Sequence, residues 1–145
     1  MIAVDTQLLV YAHRAEMPLH ARAVKVLSGL ASSGDPWSIP WPCVHELLST
    51  ITRPRLFDPP STLDQGFRAL DRWRESPTLH FLGEGLDHYE QLRQIAKAGA
   101  IAGPLFHDAR IAAICLSHGV KTLWSLDRDF SRFPSLKTLN PLIAK

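Results

Sequence analysis

The stretch that decides the fold is residues 107–133, which read HDARIAAICLSHGVKTLWSLDRDFSRF. Its first part predicts a helix over 107–118, and Gly119 ends this helix because glycine readily adopts the left-handed conformation of a helix terminus. Residues 121–126 follow as a short apolar strand, and 129–133 as one turn of helix. A helix that turns tightly into a buried strand is typical of proteins in which helices pack on a parallel sheet.

Short apolar strands alternate with helices through the rest of the chain as well. Apolar runs bounded by turn residues predict the strands, and apolar positions at helical spacing predict the helices. The predicted strands are 2–4, 37–41, 79–82 and 136–139, and the predicted helices are 6–12, 20–30, 43–52, 61–75 and 86–98. We therefore expect an α/β fold: a single domain over residues 1–145, with helices on both faces of a short, mainly parallel sheet.

Two of these elements carry more specific predictions. Pro40 has no N–H for a sheet ladder, so the strand 37–41 is expected to be irregular or to lie at an edge. Ser61 follows a proline pair and is expected to cap the helix that comes after it. The inward face of that helix is expected to carry Leu63, Phe67, Leu70 and Trp73.

The bulk composition is that of a globular protein, with 46% hydrophobic and 21% charged residues. No apolar run approaches the roughly 20 residues of a membrane span, and the N-terminal segment lacks the basic region of a signal peptide, so we expect the cytoplasm. A net charge of +2 permits a nucleic-acid partner without arguing for one. Cys43 and Cys115 lack metal-site spacing and are expected to be buried free thiols.

Four carboxylates fall where the predicted fold brings distant segments together. Asp5 and Asp127 each come directly after a strand, and the carboxyl ends of parallel strands meet at one edge of a sheet. Asp108 heads the apolar stripe of the helix over 107–118, and Glu46 flanks the apolar stripe of an earlier helix. Taken together, these positions predict a pocket lined by negative charge.

Each acid also has an ordinary interpretation. Asp5, Asp108 and Asp127 can cap helices, and Glu46 can lie on a solvated helix face. Asp129 is the residue most expected to serve only as a cap. Four desolvated carboxylates in one place, however, are costly unless a cation compensates them. Oxygen ligands favour Mg²⁺ or Mn²⁺, and such ions commonly serve phosphate chemistry.

With these residues in view, the chain resembles the PIN-domain ribonucleases, and among them the VapC-type toxins of toxin–antitoxin pairs. The resemblance covers essentially the full length and rests on three segments. They are IAVDTQLLVYA at 2–12, VHELLSTITRPR at 44–55 and HDARIAAICLSHGVKTLWSLDRDFSRFPSLK at 107–137. The resemblance implies a PIN-like three-layer sandwich. It also implies a Mg²⁺-dependent endoribonuclease, with Mn²⁺ as a possible substitute.

The resemblance assigns roles to particular residues. It implies a catalytic and metal-binding set of Asp5, Glu46, Asp108 and Asp127, with Asp129 as an additional metal ligand. Ser125 replaces the threonine that frequently stands two residues before the fourth acid. The implied partners are a VapB-type antitoxin, an RNA substrate and a second copy of the chain in a homodimer, with no membrane. Candidate phosphate contacts around the acids are Arg53, Arg55, Arg110 and Arg128.

Two other functions stay open from the sequence. The first is a catalytically silent PIN-like module that binds RNA or protein; retention of the full acid set argues against it. The second is another metal-dependent enzyme of similar chemistry, a phosphatase or a DNA flap nuclease. Phe67 and Trp73 are the candidate contacts of a dimer interface, although both residues also suit the core.

Overall fold

The strands form one parallel sheet whose order differs from the chain order. The computed structural model describes residues 1–143. Its five strands are ordered β3-β2-β1-β4-β5, and every neighbouring pair is parallel. In chain order the strands are β1 (Ile2–Val4), β2 (Trp37–Pro40), β3 (Leu79–Leu82), β4 (Thr122–Trp124) and β5 (Lys137–Leu139).

Helices connect the strands, as parallel pairing requires. The α-helices are α1 (Thr6–His13), α2 (His20–Ser32), α3 (Trp41–Ile51), α4 (Leu63–Arg74), α5 (His88–Gly99) and α6 (Leu105–Ser117). A 3-10 helix, Arg128–Arg132, lies between β4 and β5. These elements confirm the expected α/β class. Among residues 1–143, no helix combines the length and apolarity that a bilayer crossing requires.

The core lies between the sheet and its helices. Ala3 and Val4 are fully buried in the central strand β1, and Leu123 is fully buried in its neighbour β4. From α6, the run 111–115 is buried almost completely, and Cys43 and Cys115 are buried free thiols, as expected. Gly119 has φ 69°, which confirms that the turn after α6 uses the left-handed conformation.

The prediction that the second strand is irregular or lies at an edge was wrong, because its four residues pair in regular register with β3. Strand β2 lies between β1 and β3, and all four of its residues are buried. Pro40 is the last residue of the strand and directly precedes α3. A proline at this position removes only the final donor of the ladder, so an interior strand tolerates it.

The prediction for α4 was wrong in its cap and in part of its inward face. Thr62, not Ser61, caps the helix, in a reciprocal capping box with Gln65. Leu70 is buried and Trp73 partly buried, but Leu63 and Phe67 are 67% and 52% exposed. Helix α4 approaches α3 closely at Gly66, where an added Cβ would lie 2.9 Å from Leu48 Cδ2. Phe67 is the next residue and therefore points away from this contact face, while Leu63 is exposed as the first residue of the helix.

Candidate metal centre

The centre lies at the carboxyl edge of the neighbouring strands β1 and β4. Strands β1 and β4 pair in parallel with Val4 opposite Trp124, so the residues that follow them emerge side by side. The Asp5 N–H continues the ladder by donating to the Trp124 carbonyl at 3.0 Å. This bond places the Asp5 carboxylate beside the segment that carries Ser125 and Asp127.

Three carboxylates form the tightest cluster at this edge. Oxygen atoms of Asp108, Asp127 and Asp129 all lie within 4.8 Å of one another. Asp108 is in the first turn of α6, and Asp129 is in the first turn of the 3-10 helix. Asp127 caps that helix by accepting a hydrogen bond from the Asp129 N–H at 2.9 Å. Asp127 is therefore the capping residue, so the expectation that Asp129 would serve only as a cap was wrong.

Asp5 is buried and held from two sides. The Ser125 hydroxyl donates to Oδ2 at 2.7 Å, and the Cys43 thiol donates to Oδ1 at 3.5 Å. Burial raises the pKa of Asp5. The bonds from Ser125, the Thr6 N–H and Cys43 lower this pKa in part, and the Asp127 charge raises it. These neutral donors orient the Asp5 carboxylate, but none of them carries a positive charge that would compensate it.

Asp108 and Glu46 feel the same group of negative charges. Partial burial raises the pKa of Asp108 to about 7, and the charges of Asp127, Asp5, Asp129 and Glu46 contribute to this rise. Partial desolvation also raises the pKa of Glu46, with a further rise from Asp5. These five acids repel one another, so the cluster is unfavourable as long as no cation compensates it.

One cavity contains the four acids that the sequence placed together. It has a volume of about 460 Å³ and is lined by Asp5, Glu46, Asp108 and Asp127 on one side. Its lining also includes apolar side chains, among them Leu56 and Phe57. The Thr6 hydroxyl also lines the cavity, and it is buried without a hydrogen-bond partner among residues 1–143.

The donor set fits a hard divalent cation. Carboxylate oxygens and a free hydroxyl are ligands that Mg²⁺ and Mn²⁺ accept, and neither histidine nor thiolate is required. The raised pKa of Asp108 and the unpartnered Thr6 hydroxyl are both features that a bound cation would relieve. The residues present therefore fit a metal ion. The donors suit Mg²⁺ and Mn²⁺ equally.

The four arginines predicted as phosphate contacts differ in their surroundings. Arg110 donates from Nε to Glu84 at 2.7 Å, and its charge lowers the pKa of Glu46, so it lies near the acids. Arg53 and Arg55 are exposed just before Leu56 and Phe57 of the cavity wall, and Arg128 is exposed next to Asp127.

Sequence reasoning missed two features of this centre. Cys43 was expected only to be a buried thiol, and its bond to Asp5 joins residues 38 positions apart that share no motif. The Thr6 hydroxyl was not among the predicted site residues. Ser125 had a signal, because a hydroxyl directly after a strand and two residues before an acid points to the same sheet edge.

A family model supports this arrangement from the sequence side. The model described as "PIN domain" matches residues 2–136. The chain is 32% identical over 142 residues to VapC ribonuclease Mb2897 of Mycobacterium bovis, which covers 98% of this chain and 96% of that protein. The chain belongs to the PIN-domain VapC ribonucleases. Ribonuclease VapC31 of Mycobacterium tuberculosis, another VapC protein, is 30% identical over 97% of this chain and 99% of its own length.

Solved structures of VapC proteins share the fold. VapBC2 from Rickettsia felis, bound to a DNA fragment from its promoter, aligns with a TM-score of 0.66 at 21% identity, covering 96% of this chain and 98% of that one. VapC20 of Mycobacterium tuberculosis, a sarcin–ricin loop cleaving toxin, aligns with a TM-score of 0.65 at 19% identity, covering 90% and 93%. At these identities, the likeness supports the sheet and helix arrangement.

Proposed function

We propose that this chain is a metal-dependent endoribonuclease and the toxin of a type II toxin–antitoxin pair. The observation that carries the proposal is the convergence of Asp5, Glu46, Asp108 and Asp127 on one cavity, with Asp129 within reach of two of them. Membership of the VapC ribonucleases supplies the reaction class. A hydrolase needs no side-chain nucleophile in this arrangement, and the Cys43 thiol and the Ser125 hydroxyl serve as hydrogen-bond donors to Asp5.

The acids hold the metal, which is Mg²⁺ or Mn²⁺. Asp5 and Asp108 are the direct ligands, while Glu46 and Asp127 bind directly or through water, and Asp129 adds charge. A bound ion acidifies water and offsets the charge that develops on the scissile phosphate. Ser125 and Cys43 keep the Asp5 carboxylate in one orientation, because each donates to a different oxygen. Such preorganisation avoids rearrangement during the reaction.

The substrate is an RNA strand whose phosphodiester lies over the acids. In the hydrolysis, a water oxygen forms a bond to phosphorus, the bond between phosphorus and the 3′ oxygen breaks, and the 3′ oxygen takes up a proton that derives from water, which leaves a 5′-phosphate and a 3′-hydroxyl. Arg110 lies near Glu46 and is held by Glu84, so it suits contact with a phosphate at the cavity rim. Arg53, Arg55 and Arg128 are the further candidate contacts from this part of the surface.

The partners proposed for the chain are a VapB-type antitoxin and a second copy of itself. VapBC complexes are among the structures that share its fold, which motivates the first. Exposed Phe67 is an apolar surface available for the second. Size-exclusion chromatography with light scattering, with and without the antitoxin, tests both: a monomer under all conditions would contradict the dimer.

Cleavage of total bacterial RNA by purified protein tests the function. We expect fragments with 5′-phosphates in Mg²⁺, none in excess chelator, and a loss of at least a hundredfold in Asp5→Asn, because an interaction with the reacting centre typically contributes that much. Asp35→Asn is the matched control, since Asp35 is exposed in the loop before β2. Equal cleavage by wild type and Asp5→Asn would contradict the mechanism.

A further inference from the structure

A second cavity, of opposite charge, lies beside the acidic one. It has a volume of about 400 Å³ and opens between the end of α1, the segment before α4, and α4 itself. Its polar lining includes His13, Arg14, Ser61, Arg68 and Arg72, with Glu16 as the one acid in the lining. We name this feature the cationic cavity. Nothing in the proposed reaction uses it.

Arg14 is a fixed part of the cationic cavity. Its guanidinium donates from Nη1 to the Ser61 hydroxyl at 2.9 Å and from Nη2 to the Pro59 carbonyl at 2.8 Å. It also pairs with Glu16, and the His13 ring bonds to the same Ser61 hydroxyl at 2.9 Å. The Arg14 side chain is only 12% exposed, so its position is set by the fold before any ligand binds.

Arg68 and Arg72 supply charge that nothing in the cavity compensates. They stand one turn apart on α4, both are exposed, and neither has a carboxylate partner among residues 1–143. Burial lowers the pKa of His13, and the charges of Arg14 and Arg72 lower it further. Glu16 is already paired with Arg14, so an excess of positive charge faces the cavity. An anion would relieve this repulsion.

The two cavities share a wall. The guanidinium carbon of Arg14 lies 4.5 Å from the centre of the Phe57 ring, in a cation–π contact. Phe57 lines the acidic cavity, and Arg14 lines the cationic one. The two cavities therefore lie on either side of this contact, and a polyanion bound at the metal centre has the cationic cavity as a neighbouring site of opposite charge.

We propose that the cationic cavity binds a backbone phosphate of the same RNA strand that is cleaved at the metal centre. The proposal rests on the proposed function for the identity of the polyanion. Guanidinium groups bind phosphate oxygens through paired N–H donors, and Arg68 and Arg72 present two such groups on one face. Contacts of this kind set the register of a strand without reading its bases. Arg68 and Arg72 are then positioning residues.

The test is RNA affinity measured without cleavage. The probe is a fluorescein-labelled, single-stranded RNA of 20 nucleotides and mixed sequence, titrated in Mg²⁺ by anisotropy against proteins that all carry Asp5→Asn. We expect Arg68→Gln/Arg72→Gln to raise Kd roughly tenfold and to reduce the slope of log Kd against log salt by about 0.7, since loss of one phosphate contact on a single strand changes this slope by about that much.

The matched control is Arg74→Gln/Arg93→Gln, which removes the same charge from exposed positions outside the cavity. Arg74 lies on the same helix but forms its ion pair with Asp71. The control pair is expected to change Kd less than twofold. Equal losses in the two double variants would overturn the proposal, because general charge would then explain the binding. An unchanged Kd in Arg68→Gln/Arg72→Gln would overturn it as well.

Two further measurements distinguish RNA binding at the cationic cavity from binding of a protein partner and from a failure of the proposed function. In cleavage assays with an intact Asp5, Arg68→Gln/Arg72→Gln is expected to raise KM with kcat unchanged within twofold, as expected when only binding is lost. If this variant escapes the antitoxin but keeps wild-type RNA affinity, the cavity binds acidic groups of a protein partner, and the RNA proposal is wrong. A protein that binds the probe but cleaves no RNA would contradict the proposed function and leave the binding result standing.

Discussion

At the scale of single residues, the acids of the centre differ in how they are held. Hydrogen bonds orient Asp5, whereas burial and the charges of the other acids raise the pKa of Asp108. Asp5 is buried and bonded by Ser125 and Cys43, so its geometry is fixed by the fold. Asp108 is partly buried, and this burial together with the charges of the other four acids raises its pKa to about 7. The folding free energy of the metal-free protein should therefore depend on the ionisation of Asp108.

The sign of this pH dependence follows from the direction of the shift. The unfolded carboxyl has a pKa near 3.8 and the folded one about 7, so the folded state binds the proton more tightly. The contribution of Asp108 to the free energy of unfolding of the metal-free protein therefore falls as the pH rises from about 4 to 7. Replacement of Asp108 by Asn is expected to stabilise the metal-free protein at pH 8 by roughly 1–2 kcal/mol, after discounting for partial exposure.

Urea unfolding in excess chelator at pH 5 and pH 8 measures this effect. The increase in the free energy of unfolding caused by Asp108→Asn should be clearly smaller at pH 5, because the wild-type carboxyl is largely protonated in the folded protein at that pH. Asp35→Asn, in an exposed loop, should show little change at either pH. A gain of the same size at both pH values would contradict the electrostatic account of Asp108.

At the scale of elements, the end of α5 supports the segment that carries two of the acids. Gly99 is the last residue of α5, and an added Cβ there would lie 2.8 Å from the Arg132 carbonyl oxygen. The Arg132 guanidinium in turn donates to the Gly99 carbonyl at 3.0 Å. Arg132 ends the 3-10 helix that begins after Asp127, so the packing at Gly99 sets the position of this helix.

Substitution at Gly99 should therefore destabilise the protein. Gly99→Ala is expected to lower the free energy of unfolding by roughly 1–3 kcal/mol, because a backbone carbonyl must move to admit the methyl group. Gly29→Ala is the control: Gly29 lies inside α2 with nothing within 4 Å of an added Cβ, so the better helix former should stabilise by about 0.5–1 kcal/mol. Similar effects of the two substitutions in urea unfolding would count against the packing argument.

At the scale of the whole molecule, the sequence predicted what depends on local pattern and chain order. Apolar runs marked the strands, and the parallel fold then placed Asp5 and Asp127 at one edge. The position of β2 inside the sheet could not be predicted from Pro40, because strand order depends on contacts between distant elements. The exposure of Phe67 depends on the approach of α4 to α3 at Gly66, and that of Leu63 on the residue at which α4 begins. The cationic cavity joins residues from α1 and α4 that follow no motif.

The central property proposed for this protein is that these carboxylates together bind a divalent cation. Thermal unfolding of chelator-treated protein, with Mn²⁺ added to about a hundred times its Kd, measures this directly. We expect the Tm of the wild type to rise by about 5–10 °C, since such saturation adds about 2.7 kcal/mol to a domain of this size. Asp108→Asn/Asp127→Asn should show no rise. A wild-type Tm that does not change with Mn²⁺, or an equal rise in the double variant, would contradict the account.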